Sequence, residues 1–457
     1  MKHLRITQLL KLIIVAVVFS HGTVAVDAIA GEALRPNVLI ILTDDHGYGD
    51  VSTYHASDVR TPNIDELAAG GMLFHNMRAN CTVCSPSRAA LLTGRFPDRV
   101  GVPGVIRTQP ENSWGYFDPT VSTLADELKL AGYHTAIVGK WHLGLTSPNT
   151  PNERGFDYFH GFLGDMMESY TTHLRHGNNY MRRNGETIVP VGHATDLFSE
   201  WASEYLRERS KNPTQPFFLY LAYNAPHFPI EPPVQWLEWV KQRAPQLEEK
   251  RAKNVAFVEH LDDGIGRVLQ VLRETGLDQS TLVAFTADNG GSLPHGQNND
   301  PWRDGKQSHY DGGLRVPFVM RWPGHIRPGS RTDYAGLSFD LFPTLLELAG
   351  RPRAQDLDAV SLVPVIKGEL MPASRDLYFV RREGGAEYGG KSYEALIRGD
   401  WKLMRNSPFT PLELYNLKDD PQEKNDLAAS QKRIVNELSA ALRFHIQKGG
   451  ATAWQRR

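Results

Sequence analysis

Short apolar blocks that stop abruptly at polar residues recur along the chain. Val38 to Leu42 runs into Thr43-Asp44-Asp45, Thr135 to Val138 into Gly139-Lys140-Trp141-His142, Phe217 to Tyr220 toward Asn224-Ala225-Pro226-His227, and Leu282 to Phe285 toward Asp288-Asn289-Gly290. Each block is too short for an independent helix and long enough for a strand buried on both faces. Between the blocks the apolar period lengthens. Thr61-Pro62 opens a helix running to Gly70; Val121, Leu124 and Leu128 line one face of another; Val255, Val258, Leu261, Ile265 and Leu269 line a long third. This alternation predicts an α/β domain around a mainly parallel sheet. Ligands of such open sheets bind beyond the carboxyl ends of the strands, where all four blocks deliver carboxylates, lysine or histidine. Asp and Asn are common turn residues, so one such end means little, but four at one sheet edge describe a site.

The pattern continues through Val316 to Met320 and an apolar helix around Leu341 to Leu346, then stops near Gly350. Beyond it, Leu377 to Arg381, Tyr393 to Arg398 and Trp401 to Arg405 read as short antiparallel strands, followed by Leu414 to Leu417 and a last helix from Gln431 to His445. Gly384-Gly385 and Gly389-Gly390 suggest a flexible loop. The opening residues differ from the rest: Lys2, Arg5 and Lys11, then an apolar run from Leu12 to Phe19, then Thr23-Val24-Ala25 and Ala28-Ile29-Ala30. That order is a secretory leader cleaved near Ala25 or Ala30, since a membrane span needs about 20 apolar residues and this run is far shorter. The expected organisation is a leader at 1–30, an α/β catalytic domain at 31–350 and a smaller α+β domain at 351–457. The mature protein is expected outside the cytoplasm, periplasmic or extracellular, without a stable membrane anchor.

A chain of 457 residues can bury a sizeable core, and its 50 basic against 52 acidic side chains give no positive field to recruit nucleic acid. Cys81 and Cys84 are its two cysteines. A Cys-x-x-Cys pair in an exported chain suggests a redox motif or a local disulfide, but Pro86, Ser87 and Arg88 follow within a chain far larger than a thioredoxin-like domain. Pro86 suits the first turn of a helix continuing through Ala89 to Leu92, which puts Cys84 and Ser85 at its N-terminus. Free N–H groups and the helix dipole favour an anion there, with the Arg88 guanidinium one turn away. Taken alone, the same residues also describe a buried cysteine near a helix cap.

Cys84-Ser85-Pro86-Ser87-Arg88 with Thr93-Gly94-Arg95 resembles the signature of the formylglycine-dependent, type I sulfatases. The resemblance runs from Pro36-Asn37-Val38 and Asp44-Asp45, through the segments around Lys140, His227 and Asp288, to Gly305-Lys306 and Gly312 to Pro317. It is greatest to the arylsulfatase A-like subgroup, which includes glycan sulfatases. It implies an alkaline-phosphatase-like fold, a large mainly parallel sheet flanked by helices with a smaller C-terminal antiparallel sheet. It also implies that a formylglycine-generating or equivalent maturation enzyme oxidises Cys84 to formylglycine. One hydroxyl of the hydrated aldehyde then attacks sulfur, and the other lets the aldehyde re-form as sulfate leaves, an exit that a thiol or serine lacks.

Asp44, Asp45, Asp288 and Asn289 offer oxygen alone, which suits a hard cation and excludes a thiolate or imidazole zinc site. The resemblance makes that cation one Ca2+, with residue 84 as a further ligand. It also assigns Lys140 and Lys306 to the sulfate oxygens, His227 to the bridging oxygen or leaving alcohol, and His142 to the base that promotes collapse of the sulfated intermediate. Rival readings are an aryl sulfatase, a phosphate or phosphonate ester hydrolase on the same scaffold, and a non-catalytic glycan-binding protein with Cys84 unconverted. A sulfated carbohydrate is the expected substrate, with Trp114, Tyr116 and Trp302 stacking on sugars and His173, Arg175 and Arg303 bonding hydroxyls or a second acidic group.

Overall fold

A computed structural model describes residues 35–54, 56–352, 354–369, 375–383 and 392–455. The expected leader at 1–30 and the glycine-rich segment at 384–390 lie outside the described residues. The main sheet is built from β1 (Asn37–Thr43), β2 (Met72–Phe74), β3 (His134–Lys140), β4 (Tyr158–Phe162), β5 (Met181–Arg183), β6 (Glu186–Thr187), β7 (Phe217–Ala222), β8 (Thr281–Ala287), β9 (Phe318–Arg321) and β10 (Ser330–Thr332). Their spatial order is β10-β2-β9-β8-β1-β7-β3-β4-β5-β6. The central run from β8 to β4 is parallel, so the carboxyl ends of the four sequence blocks share one edge.

Successive residues of β1 enter two different cores. Val38, Ile40 and Leu42 pack with residues of α2 (Cys84–Thr93) and α5 (Leu341–Leu348), while Leu39 and Ile41 pack with α3 (Ala194–Ser210) and α4 (Glu249–Glu274). Burial on both faces removes the usual apolar–polar alternation, which is why these strands read as unbroken apolar blocks. A further helix, α1 (Pro62–Ala69), packs in the second core through Ile64, Leu67 and Ala68.

The Val316 to Met320 block forms a strand, but β9 runs antiparallel to β8. An apolar block specifies a buried strand without specifying its direction, which the connection sets. Here the antiparallel return keeps residues 288–317 at the carboxyl edge, where Lys306 is carried. Close backbone approach matters at two positions on this edge. Gly139 has φ 107°, and a Cβ there would lie 2.0 Å from Ala222 O; at Gly290 it would lie 1.9 Å from Gly312 O. A side chain at Gly139 would separate two paired strand ends, and one at Gly290 two loops, that meet at the site.

The C-terminal region forms an antiparallel sheet, β11 (Leu377–Arg382), β12 (Ser392–Arg398), β13 (Trp401–Arg405) and β14 (Glu413–Asn416), covered by α6 (Lys432–Gly449). Its core is shared: Phe96, Leu314 and Phe339 join Tyr378, Leu396, Leu403 and Leu438. Residues 35–457 accordingly make one compact unit. No helix among the described residues is long and apolar enough to cross a membrane.

Candidate active site

The chain turns out of β1 at Asp44 and Asp45, the latter with φ 58°. The turn is fixed from both sides: Asp44 N–H donates to Ala225 O at 3.1 Å, Asp288 N–H donates to Thr43 O at 3.1 Å, and Asp45 N–H donates to Asp288 Oδ1 at 3.1 Å. Three strand ends are thereby locked together. Cys84 opens α2 directly after Val83, without a side-chain cap, and its Sγ lies 3.2 Å from Asp44 Oδ1, 4.0 Å from Asp45 Oδ1 and 3.9 Å from Lys306 Nζ. Asn289 Nδ2 donates to Asp45 Oδ1 at 2.8 Å, while its buried Oδ1 has no hydrogen-bond partner.

Three cations face these carboxylates. Lys140 Nζ lies 2.5 Å from Asp44 Oδ2 and Lys306 Nζ 2.7 Å from Asp45 Oδ2. Arg88 departs from the expectation that it holds the ester. It is fully buried, bonds Asp288 Oδ2 through Nε at 3.0 Å and Nη2 at 2.8 Å, and donates to Lys140 O at 3.1 Å. One helical turn below Cys84, a long side chain reaches the carboxylate layer beneath the cavity. Its role in the structure is to hold Asp288.

Burial opposes ionisation of Asp44, yet Lys140, His227 and Arg88 hold its carboxyl well below the usual range. Asp288 goes the other way, raised to about 7 by burial and by Asp44. Burial and Asp44 also push the Cys84 thiol well above its ordinary value, so an unmodified thiol here is protonated and a poor nucleophile.

The histidines differ in what they leave free. Burial, Lys140 and Arg88 depress His142, so it is neutral; Nε2–H donates to Ile106 O at 2.8 Å, and Nδ1 is buried without a partner. That carbonyl fixes the tautomer and leaves the Nδ1 lone pair unpartnered, while the same burial and cations that keep the ring neutral lower its basicity. His227 Nδ1–H donates to Phe228 O at 2.6 Å, and Nε2 lies 3.6 Å from Asp45 Oδ2. Burial, with Lys306 nearby, lowers its pKa to about 4.

Of these groups Cys84, His142, His227 and Lys306 line a cavity of about 430 Å3, with Arg107 and Arg175, while Lys140, like Arg88, is fully buried and does not line it. Arg175 was expected at the rim; Asp165 holds it there at 3.0 and 3.2 Å. Trp302, Arg303, Trp114 and His173 do not line this cavity. Trp302 packs on Tyr48 and under Arg315, Arg303 donates to Glu423 O and covers Tyr310, Trp114 stacks on Trp454, and His173 bonds Gly192 O. Arg381 lines it instead, from β11, a contribution that no local motif announces. Cys81 and Cys84 are both free, which removes the disulfide reading.

The family model described as Sulfatase matches residues 36–351, which include every one of these strand ends. The chain belongs to the sulfatase family. A second model, N-sulphoglucosamine sulphohydrolase, C-terminal, matches residues 300–448 of this sulfatase. The enzyme is 33% identical over 397 residues to N-acetylgalactosamine-6-sulfatase of Rattus norvegicus, covering 82% of this chain and 72% of that one. It is 32% identical over 463 residues to arylsulfatase A of Bos taurus, covering 92% and 89%. Among solved structures, Ps i-CgsB in complex with k-i-k-neocarrahexaose superimposes with a TM-score of 0.84 at 30% identity, covering 92% of this chain and 95% of that one. The alkaline-phosphatase-like architecture is the one expected.

Proposed function

We propose that this sulfatase hydrolyses a sulfate ester carried on a glycan, using formylglycine made from Cys84 and one calcium ion. The observation that carries this reading is the position of Cys84: its Sγ sits at a helix N-terminus within 4.0 Å of two carboxylates and a lysine. Sγ stands in for an oxygen of hydrated formylglycine, which supplies both the attacking hydroxyl and the second hydroxyl that lets sulfate depart. The donor set fits a hard cation: Asp44, Asp45 and residue 84 lie close enough to share one ion, with His227 beside them, Asp288 and Asn289 would complete it, and the Asn289 Oδ1 left without a partner is the kind of oxygen it takes. When bound, calcium orients the nucleophile and offsets charge gathering at sulfur.

The remaining work falls to the chain. Lys306, on the cavity wall, pairs with a sulfate oxygen, and Lys140, buried against Asp44, supplies positive charge from beneath. His142 accepts a proton at Nδ1 from the residue-84 hydroxyl, with Nε2–H held by Ile106 O. His227, steered by Phe228 O, bonds the leaving oxygen through Nε2; the negative ester offsets the burial that otherwise keeps it neutral. The glycan assignment is supported by the similarity to N-acetylgalactosamine-6-sulfatase and to a structure holding neocarrahexaose, whereas the similarity to arylsulfatase A favours an aryl ester as the second reading. Export through a cleaved leader and a maturation enzyme acting on Cys84 belong to the same proposal, as does a smaller C-terminal part from near residue 351 that packs into the same compact unit.

Peptide mass spectrometry over Cys84 tests conversion, and Cys84→Ala tests the nucleophile: turnover should vanish while the fold persists. Undiminished activity in folded Cys84→Ala protein would falsify the mechanism. Specificity constants for sulfated saccharides against a chromogenic aryl sulfate then test the substrate. A preference for the aryl ester over every saccharide leaves the second reading standing.

A further inference from the structure

Beside the cavity over Cys84 lies a second one of about 380 Å3. The two share Arg107 and Thr108, which line both. The second is walled by Tyr116 and Trp454 on one side and by the 143–149 loop that follows His142 on the other. Each volume falls within the range of a ligand pocket.

The walls are fixed rather than frayed. Trp454 stacks on Trp114 with ring centroids 5.4 Å apart and an interplanar angle of 25°. The segment before it is tied down by Thr452, whose Oγ1 donates to Arg99 O at 3.1 Å. It also crosses Gly101 so closely that a Cβ there would lie 2.8 Å from Ala453 O. Tyr116 is set by its N–H donating to Gly101 O at 2.8 Å. At the boundary between the cavities, Glu383 and Asn112 O hold the Arg107 guanidinium, and the shielded Thr108 Oγ1 has no hydrogen-bond partner.

We infer that this second cavity is a saccharide subsite that takes the sugar next to the sulfated one, so that the enzyme reads at least two linked sugars. The inference rests on the glycan reading above. Rigid aromatic walls offer faces to sugar C–H groups, and the Arg107 guanidinium, which lines both cavities, places positive charge where the two sugars would be linked. The occupant is a continuation of the substrate chain because the two cavities are contiguous at those residues.

The experiment uses sulfated galactan and glycosaminoglycan oligosaccharides, each paired with its sulfated monosaccharide, on wild type, Trp454→Ala and Tyr116→Ala. Wild type should prefer the oligosaccharide. Each substitution should lower kcat/KM for the oligosaccharide about tenfold, mainly through KM, and change the monosaccharide value by less than about twofold. Calorimetry on Cys84→Ala protein supplies a reading without turnover: the oligosaccharide should bind more tightly than the monosaccharide, and Trp454→Ala should erase the difference. Equal wild-type values for both lengths, or equal losses on both in the variants, overturn the subsite and leave the glycan reading intact. Hydrolysis of the aryl sulfate but of no saccharide overturns the glycan reading itself, and the subsite with it.

Discussion

Two of the buried charge clusters among the described residues are built differently. At the active-site edge, Asp44, Asp45 and Asp288 meet Arg88, Lys140 and Lys306; at the junction with the C-terminal sheet, Asp311 and Glu423 meet Arg78, Arg315 and Lys402. Asp311 is saturated: Arg78 binds both oxygens at 3.0 and 2.6 Å, Lys402 binds one at 2.9 Å and Arg315 the other at 3.1 Å. Although burial opposes it, Arg78 and Lys402 hold the Asp311 carboxyl well below the usual range, whereas Asp288 is raised to about 7 by burial and by Asp44. The junction sets three cations against two carboxylates and is closed, while the active-site edge sets three against three, leaves Asp288 raised and opens onto a cavity. Buried charge alone therefore does not mark a site. Buried charge at the wall of a cavity, beside a carboxylate raised by its neighbours and an unpartnered ligand atom, Asn289 Oδ1, does.

The sharpest way to break this comparison is to remove one carboxylate charge from each cluster. Asp45→Asn keeps the shape and should lower kcat/KM by about 10²–10³-fold or more, with a melting temperature close to wild type. Asp311→Asn leaves buried Arg78 and Lys402 without their shared counter-charge and should cost about 3–5 kcal/mol of stability, read from urea unfolding. If Asp45→Asn unfolds the protein as readily as Asp311→Asn does, the two clusters are alike and the distinction fails.

A smaller effect should follow from metal. Prolonged chelation should inactivate the enzyme, and calcium should restore activity better than zinc because every side-chain donor other than residue 84 is an oxygen. Calcium at about 100 times its dissociation constant should also stabilise the protein by about 2.7 kcal/mol. Active protein containing only stoichiometric zinc, or no divalent ion, rules out the ligand assignment.

What could be read in the sequence follows from how local each feature is. The four strands of the site edge were legible because burial on both faces leaves an uninterrupted apolar block, and the polar residues after each block are adjacent in sequence to the strand that positions them. The helix at Cys84 was legible from Pro86 for the same reason. The partner of Arg88 was not: Asp288 is 200 residues away, and an arginine one turn into a helix reaches either toward the ligand or beneath it. Nor was the direction of β9, which its connection sets. Trp302 and Arg303 had the right composition for a sugar rim, but the packing of Tyr48, Arg315 and Tyr310 around them is a tertiary fact. Arg381 reaches the cavity from a strand that the sequence assigned to another domain.

Cys81 gives the smallest effect and the finest test of the same distinction. It lies three residues before Cys84, fully buried, yet its environment is structural: Sγ lies 3.2 Å from Val380 O on β11, and its N–H donates to Ser87 Oγ at 3.0 Å. Burial pushes its thiol up to about 12, so it is protonated and unreactive under ordinary conditions. Cys81→Ser retains a donor for Val380 O and changes little volume, at a cost of about 0.5–1.5 kcal/mol for the altered hydrogen bond. Activity per folded molecule should stay within about twofold of wild type, because the backbone N–H to Ser87 that shapes the turn before Cys84 is untouched. Conversion of Cys84, read by peptide mass, should be equally complete. A large loss of turnover with full conversion and unchanged stability would place Cys81 in the chemistry, and the boundary between reactive and structural cysteine would then have to move by three residues.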